Sequence, residues 1–191
     1  MAIIINDTAP RNQYTSTAGQ TVFQISFEFF DNADIKVYNG TSLLTYAASP
    51  SNGTQYSVAG AGTNATGNSK AITLGSGGAS NGDIITITRD IAVARTSDFP
   101  TSGQFEIDTL NTDLDKLTAM VSEREDAIKR SVHAPETDAT GIDMELPVKA
   151  TRATKVLAFD SDGDPTVSTK TLSALESEAD NAATSAAAAA S

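Results

Sequence analysis

The sequence predicts a mainly β protein with α-helices: an N-terminal β-sandwich or open barrel, a long helix, a small β connector and the start of an alanine-rich coiled coil. Three patterns predict it. Apolar residues alternate with period two in the first hundred residues, recur every three and four residues after residue 107, and form a narrow seam at the carboxyl end. Period two fits a strand with one buried face, whereas three-four spacing fits one face of a helix.

The β region begins with its clearest strand, residues 21–29, in which four apolar side chains occupy alternate positions. Further strands are predicted at 35–38, 43–44, 55–58, 71–74 and 84–88. The side chains predicted to fill the core of this domain are Phe23, Ile25, Phe27, Phe29, Ile85 and Ile87. Asn39-Gly40 predicts a two-residue hairpin turn. Short strands separated by turn clusters favour a sandwich or barrel.

The helix that follows is predicted to start at an Asp108 or Thr109 cap and to run to about Val132. One face carries an apolar stripe, made of Ile107, Leu110, Leu114, Leu117, Val121 and Ile128. Arg124 and Ser131 occupy the two stripe positions that are not apolar. The apolar stripe either packs on the β domain or forms a helix bundle between protomers, and the sequence leaves both open.

The carboxyl end carries the terminal seam, whose members are Leu172, Leu175, Ala179, Ala182, Ala186 and Ala189. A single helix cannot bury so narrow a stripe on itself, so the seam predicts association with sister copies. Alanine at these positions does not decide between a dimer and a trimer. The uncapped alanines at the end are expected to begin a longer rod. The chain is predicted to divide into four segments: a β-rich domain at 1–104, a helix at 105–134, a connector with short strands at 135–168 and the start of the coiled coil at 169–191.

Composition argues against several classes of function. The net charge of −11 disfavours binding to nucleic acid or to anionic membranes, and no segment has the ~18 apolar residues of a membrane helix. The chain has no cysteine, which removes disulfides and thiolate zinc sites, and His133 is its one histidine. The acidic turn at 160–165 lacks the residue order of a calcium loop. The sequence therefore predicts no cofactor, no metal and no enzyme.

Four residues between the last strand and the helix are candidates for contact: Arg89, Arg95, Asp98 and Phe99. Arg89 is in phase with Ile85 and Ile87, so it emerges on their buried face. A buried arginine must pair with a carboxylate or reach a partner. Two hypotheses remain open: a local pair with an aspartate that joins the β domain to its helix, or a direct docking role.

Some of these residues resemble a known family. The run from Val22 to Phe29 resembles the opening strand of the N-terminal tail-attachment domain in the tail fibres of T-seven-like podoviruses. Arg89, Arg95, Asp98-Phe99 and Leu110-Asn111 are similar to later motifs of that domain, and the resemblance covers roughly residues 12 to 134. Residues 146–163 resemble a segment that precedes the shaft of phage fibres, and the alanine-rich end resembles the start of the shaft.

The resemblance implies a homotrimer in the virion tail, assembled in the host cytoplasm. The N-terminal domains of that family fix each fibre to the adaptor and nozzle proteins of a short tail, and the distal part, expected beyond this sequence, binds the host surface. Exposed loops and strand edges of the β domain are the expected docking elements. The alternatives are a receptor- or glycan-binding module and a glycan depolymerase. Aromatics at 6% and the lack of Trp disfavour sugar-stacking platforms.

Overall fold

The structure, a computed structural model, forms two compact units, Met1–Ser131 and Val132–Ser191. The described residues are 5–6, 8–63, 69–94, 97–98, 106–138 and 141–189. Sheets dominate the first unit, and helices follow them in the chain. The architecture is therefore mainly β with α, as predicted.

The first unit contains two four-stranded sheets. Its described strands, in chain order, are β1 (Arg11–Thr15), β2 (Val22–Gln24), β3 (Ile35–Asn39), β4 (Ser42–Leu43), β5 (Thr45–Tyr46), β6 (Gln55–Ala59), β7 (Ala71–Leu74) and β8 (Ile84–Arg89). One sheet has the order β1-β8-β3-β4 and is antiparallel throughout. The other has the order β2-β7-β6-β5, in which only the short β5–β6 pair is parallel.

One hydrophobic core is shared by the two sheets. The six residues predicted for it have exposed fractions of only 0–3%: Phe23, Ile25, Phe27, Phe29, Ile85 and Ile87. Ile35 and Val37 join them from β3, and Ile72 joins from β7. Tyr56 lies in the core as well, and its hydroxyl donates to the Ile35 carbonyl at 2.7 Å, which ties the second sheet to the first.

The strand predicted over residues 21–29 is much shorter, since its ladder covers only Val22–Gln24. Beyond it the chain leaves the sheet, although its apolar side chains continue into the core. Its backbone groups find partners outside a ladder. The Ser26 N–H donates to the Asn12 side chain, and the Glu28 carbonyl accepts from Arg89. The alternation of apolar and polar residues therefore predicted which side chains are buried, but not how far the strand pairs in the sheet.

Two strands and one turn differ from the sequence-based expectation. The predictions omitted β1, which has a polar sequence and lies at the edge of its sheet, and the two-residue β5. In the hairpin, Asn39 pairs with Ser42, so the turn is Gly40-Thr41 and not Asn39-Gly40. Gly40 has φ 56°, a left-handed conformation that glycine adopts without a steric penalty.

The long helix, α1, spans Ile107–Lys129. It begins just before the predicted caps, after Glu106, which makes no side-chain capping bond, and it ends before Val132. The N–H of Arg130 donates to the carbonyls of Ala127 and Ile128, which tightens the last turn. Ala119 is its one buried residue.

The second unit combines a hairpin with two helices. Its described elements are α2 (Lys149–Arg152), β9 (Lys155–Phe159), β10 (Pro165–Thr171) and α3 (Leu172–Ala189). β9 and β10 pair antiparallel around a turn in which the Asp160 carboxylate accepts from the N–H groups of Asp162 and Asp164. The second connector strand is longer than the predicted Thr166-Val167, so the last helix begins at Leu172, slightly later than expected. No residue of α3 is buried.

Candidate interaction surfaces

Arg89 joins the β domain to α1. It lies at the end of β8 and is 5% exposed. Its Nε donates to the Glu123 carboxylate at 2.8 Å, its Nη1 to the Glu28 carbonyl at 2.6 Å and its Nη2 to the Ala119 carbonyl at 2.9 Å. The carboxylate partner is therefore a glutamate of the helix and not the expected aspartate.

The Arg89–Glu123 pair is buried, and both groups make further hydrogen bonds. The second oxygen of Glu123 accepts from the Ile91 N–H at 3.2 Å, and the guanidinium lies 6.0 Å from the centre of the Phe27 ring. A buried ion pair offsets its desolvation only when further hydrogen bonds satisfy both groups. That condition is met here, so the pair specifies where α1 sits on the β domain.

A second buried ion pair lies beside the first. Lys70 and Glu28 approach to 3.4 Å, and both side chains are at most one-tenth exposed. Glu28 thus accepts two hydrogen bonds: its carboxylate accepts from Lys70 and its main-chain carbonyl accepts from Arg89. The sequence patterns predict no role for Glu28, Lys70 or Glu123. For Glu123 a signal existed, since it lies four residues after Ala119, on the side of the helix opposite the apolar stripe.

The other candidates near this junction are less informative. Asp98 is described and exposed. Arg95 and Phe99 lie outside the described residues. The neighbouring segment does contact α1, because the Ser97 hydroxyl donates to the Asp113 carboxylate.

The apolar stripe of α1 points away from the β domain. Five of its six members are 51–67% exposed in the single chain, and Leu110 is partly buried; the five are Ile107, Leu114, Leu117, Val121 and Ile128. Of the two hypotheses, the one in which the apolar stripe packs on the β domain is therefore wrong for this chain. The stripe is an uncovered surface.

The opposite face of α1 makes the contact with the β domain. This inner face consists of Thr112, Lys116, Ala119, Glu123 and Asp126, all buried or partly buried. Lys116 lies 5.9 Å from the centre of the Phe30 ring, and Ala119 lets the guanidinium of Arg89 reach a main-chain carbonyl. Helix α1 thus docks through polar and small residues and leaves its apolar side free.

The second unit also exposes apolar side chains. The terminal seam lies on α3 with no fully buried member: Leu175 is partly buried and Leu172 is 49% exposed. On the hairpin, Val156, Leu157 and Phe159 are all exposed, although they belong to both faces of β9. An isolated two-stranded hairpin is marginally stable in water. Both features therefore call for a covering surface.

Three of the described ionisable groups have shifted pKa values. Burial raises the pKa of Tyr14 above its ordinary value of 10.0. Burial, followed by the nearby hydroxyls of Tyr38 and Tyr46, raises the pKa of Tyr56 above its ordinary value of 10.0. Hydrogen bonds from the Asn39 side chain and the Ser80 N–H lower the pKa of Asp83 below its ordinary value of 3.8. All three shifts arise from burial or hydrogen bonds within the β domain.

Within the described residues, no three His, Cys, Asp or Glu side chains come together as a metal site. No helix found there has the length and apolar character needed to cross a bilayer. No protein-family model matches the chain, and no curated protein matches it. The exposed surfaces and the motif resemblance are therefore the features that bear on function.

Proposed function

We propose that this protein is a structural component of a virion: the tail-proximal, N-terminal anchor of a homotrimeric phage tail fibre. In this proposal the β domain docks on the adaptor and nozzle proteins of a short tail, and a distal part beyond this sequence recognises the host. The observation that carries the proposal is the outward direction of the apolar stripe on α1.

The apolar stripe is suited to burial against copies of itself. Its three-four spacing is that of a helix that packs along its length on a neighbouring helix. Full burial of a Leu, Ile or Val side chain contributes about 1.5–3 kcal/mol. With five members more than half exposed, self-association gains several times the energy of one such residue. The inner face meanwhile keeps each β domain attached to its own helix.

The second unit supports the same assembly. The alanines of the terminal seam allow helices to approach closely, and another chain would cover the exposed apolar residues of β9. A fibre proceeds along its axis from an attachment domain to a shaft. The order of β domain, helix, hairpin and alanine-rich helix fits that sequence of parts, and the resemblance to podovirus fibres favours three strands over two.

The mass in solution tests the self-association. For the full chain we expect a mass near three chains by light scattering. Replacing Leu114 and Leu117 by Asp should lower the mass, as should replacing Leu172 and Leu175 by Asp, whereas V93D is the control. Val93 is 74% exposed and lies outside both helices. A monodisperse wild-type monomer would contradict the proposal.

Binding assays separate the anchor from its rivals. Binding of the purified chain to isolated tail adaptor rings supports the anchor. Binding to whole host cells by this chain alone would favour a receptor- or glycan-binding module. Turnover of host polysaccharide would favour a depolymerase. Either of the last two results, without adaptor binding, would refute the proposal.

A further inference from the structure

A groove of about 450 Å³ lies between the carboxyl-terminal half of α1 and the β1-β8-β3 part of the first sheet. Its strand wall uses residues that alternate with core residues, so it lies on the face turned away from the core. We call it the basic groove; the residues used below are Arg11, Lys36, Thr88, Arg124 and Arg130.

The charge of the basic groove is opposite to that of the chain. Five cationic and two anionic side chains line it, whereas the whole protein carries −11. Two of the cations are neutralised locally, since Arg89 pairs with Glu123 and Arg130 pairs with Asp126 at 2.7 Å. The other three are Arg11, Lys36 and Arg124. None of these three forms an ion pair with a carboxylate in the described parts of the chain.

Arg11 is poised for an acidic ligand. Its Nε has almost no solvent-accessible surface and no hydrogen-bond acceptor within the described structure. Buried donors normally have a partner, and an unsatisfied one is costly. Because this guanidinium has already lost part of its hydration, it gains more from a carboxylate than a fully hydrated one does.

We propose that the basic groove binds a short acidic peptide segment of another protein. Carboxylates of that segment pair with Arg11, Lys36 and Arg124, and the hydroxyl of Thr88 hydrogen-bonds its main chain. The proposal rests on the proposed function, because it assigns the groove as the contact of the β domain with the tail. It places docking on a sheet face beside α1 and not on a strand edge.

The composition of the groove favours a peptide over a nucleic acid. Asp90 also lines it and would repel a closely spaced row of phosphates. The overall charge of −11 repels a long polyanion at a distance, and three unpaired cations are few for a phosphate backbone. A short peptide with separated carboxylates can avoid the acidic side chains of the groove, and it is too short to be repelled strongly by the net charge of the protein.

Binding of a labelled short peptide, in which glutamates are separated by glycine and serine, to the full chain, followed by fluorescence anisotropy, tests the proposal. The R11Q/K36Q variant should bind about tenfold more weakly or worse, the loss expected for one or two charge-assisted hydrogen bonds. The matched control is K149Q/R152Q, which removes the same charge from the second unit and should bind like the wild type. Added salt should weaken the wild-type complex.

Several results would overturn the inference. If both variants lost the same affinity for the peptide, the effect would be one of net charge alone. If R11Q/K36Q bound the peptide like the wild type, the groove would not be the binding site. Displacement of the peptide by oligothymidylate of the same length at lower concentration would favour nucleic acid. Circular dichroism checks folding, and K36E serves as a second variant if R11Q/K36Q does not fold. Light scattering of the same samples reports trimerisation separately, so a failed groove and a failed fibre anchor are distinguishable.

Discussion

At the scale of single residues, a few buried polar groups determine how the first unit fits together. Arg89 donates hydrogen bonds to one carboxylate and two carbonyls. These acceptors belong to α1 and to the segment before β3. Tyr56 joins the two sheets through the Ile35 carbonyl. Such groups cost energy when unpaired, so each accepts only one arrangement of its neighbours.

Replacing Arg89 should strongly destabilise the folded protein. Arg89→Met leaves the Glu123 carboxylate buried without its cation, and we expect the free energy of unfolding to fall by about 3–5 kcal/mol. Lys129→Gln removes the exposed pair with Glu125, one helical turn apart, and should cost about 0.5 kcal/mol or less. Urea denaturation followed by circular dichroism measures both. Similar losses for the two variants would contradict the role given to Arg89.

Tyr56 should make stability fall at alkaline pH. Its pKa is raised in the folded protein, so the stabilisation is complete below the unfolded value of about 10 and is lost as pH rises through the folded value. At neutral pH, Tyr56→Phe should cost about 1–2 kcal/mol through the lost bond to Ile35. Urea titrations across an alkaline pH series should show this difference shrinking. A constant difference would show that Tyr56 does not titrate with unfolding.

At the scale of elements, α1 has two faces with different tasks. The inner face is small and polar and fits the β domain, while the apolar stripe is uncovered. This reverses the arrangement expected of a surface helix, whose apolar side normally packs on the core. The reversal is reasonable if the apolar side packs against other chains.

Enlarging the inner face should displace the helix. Ala119→Leu puts three extra carbons against Arg89 and the β domain, and overpacking of this kind costs about 1–3 kcal/mol. Ala127→Leu, on an exposed position of the same helix, should be close to neutral. Denaturation curves of the two variants give the comparison. If Ala127→Leu were the more damaging, the assignment of the inner face would be wrong.

At the scale of the whole molecule, both units expose apolar side chains: the apolar stripe in the first unit and the terminal seam in the second. The proposed trimer would cover the apolar stripe in one unit and the terminal seam in the other. Assembly would then contribute to the stability of every chain, because bound partners stabilise the folded state by mass action.

Thermal stability should accordingly depend on protein concentration. We expect the Tm of the wild-type chain to rise as concentration increases, since dilution favours dissociated chains. The L114D/L117D variant should lose most of this dependence for the first unit. Scanning calorimetry over a dilution series provides the measurement. A Tm that stays constant on dilution, in a sample that scatters as a monomer, would count against the trimer.

Much of the fold follows from local sequence patterns. Alternation identified the core residues from Phe23 to Phe29, and three-four spacing identified the apolar stripe, because side-chain direction depends only on the backbone period. Strand β1 could not be predicted in this way, because its polar sequence carries no period and its place comes from pairing with β8.

By itself, the sequence determined which side chains share a face: the core of the β domain, the apolar stripe of α1 and the terminal seam. Only the tertiary structure decided what each face meets. It turned the apolar stripe outward, selected Glu123 for Arg89, and ended the ladder of β2 at Gln24. The physical reason is that periodicity is a property of neighbouring residues, whereas partners are chosen by the packing and polar satisfaction of residues far apart in the chain.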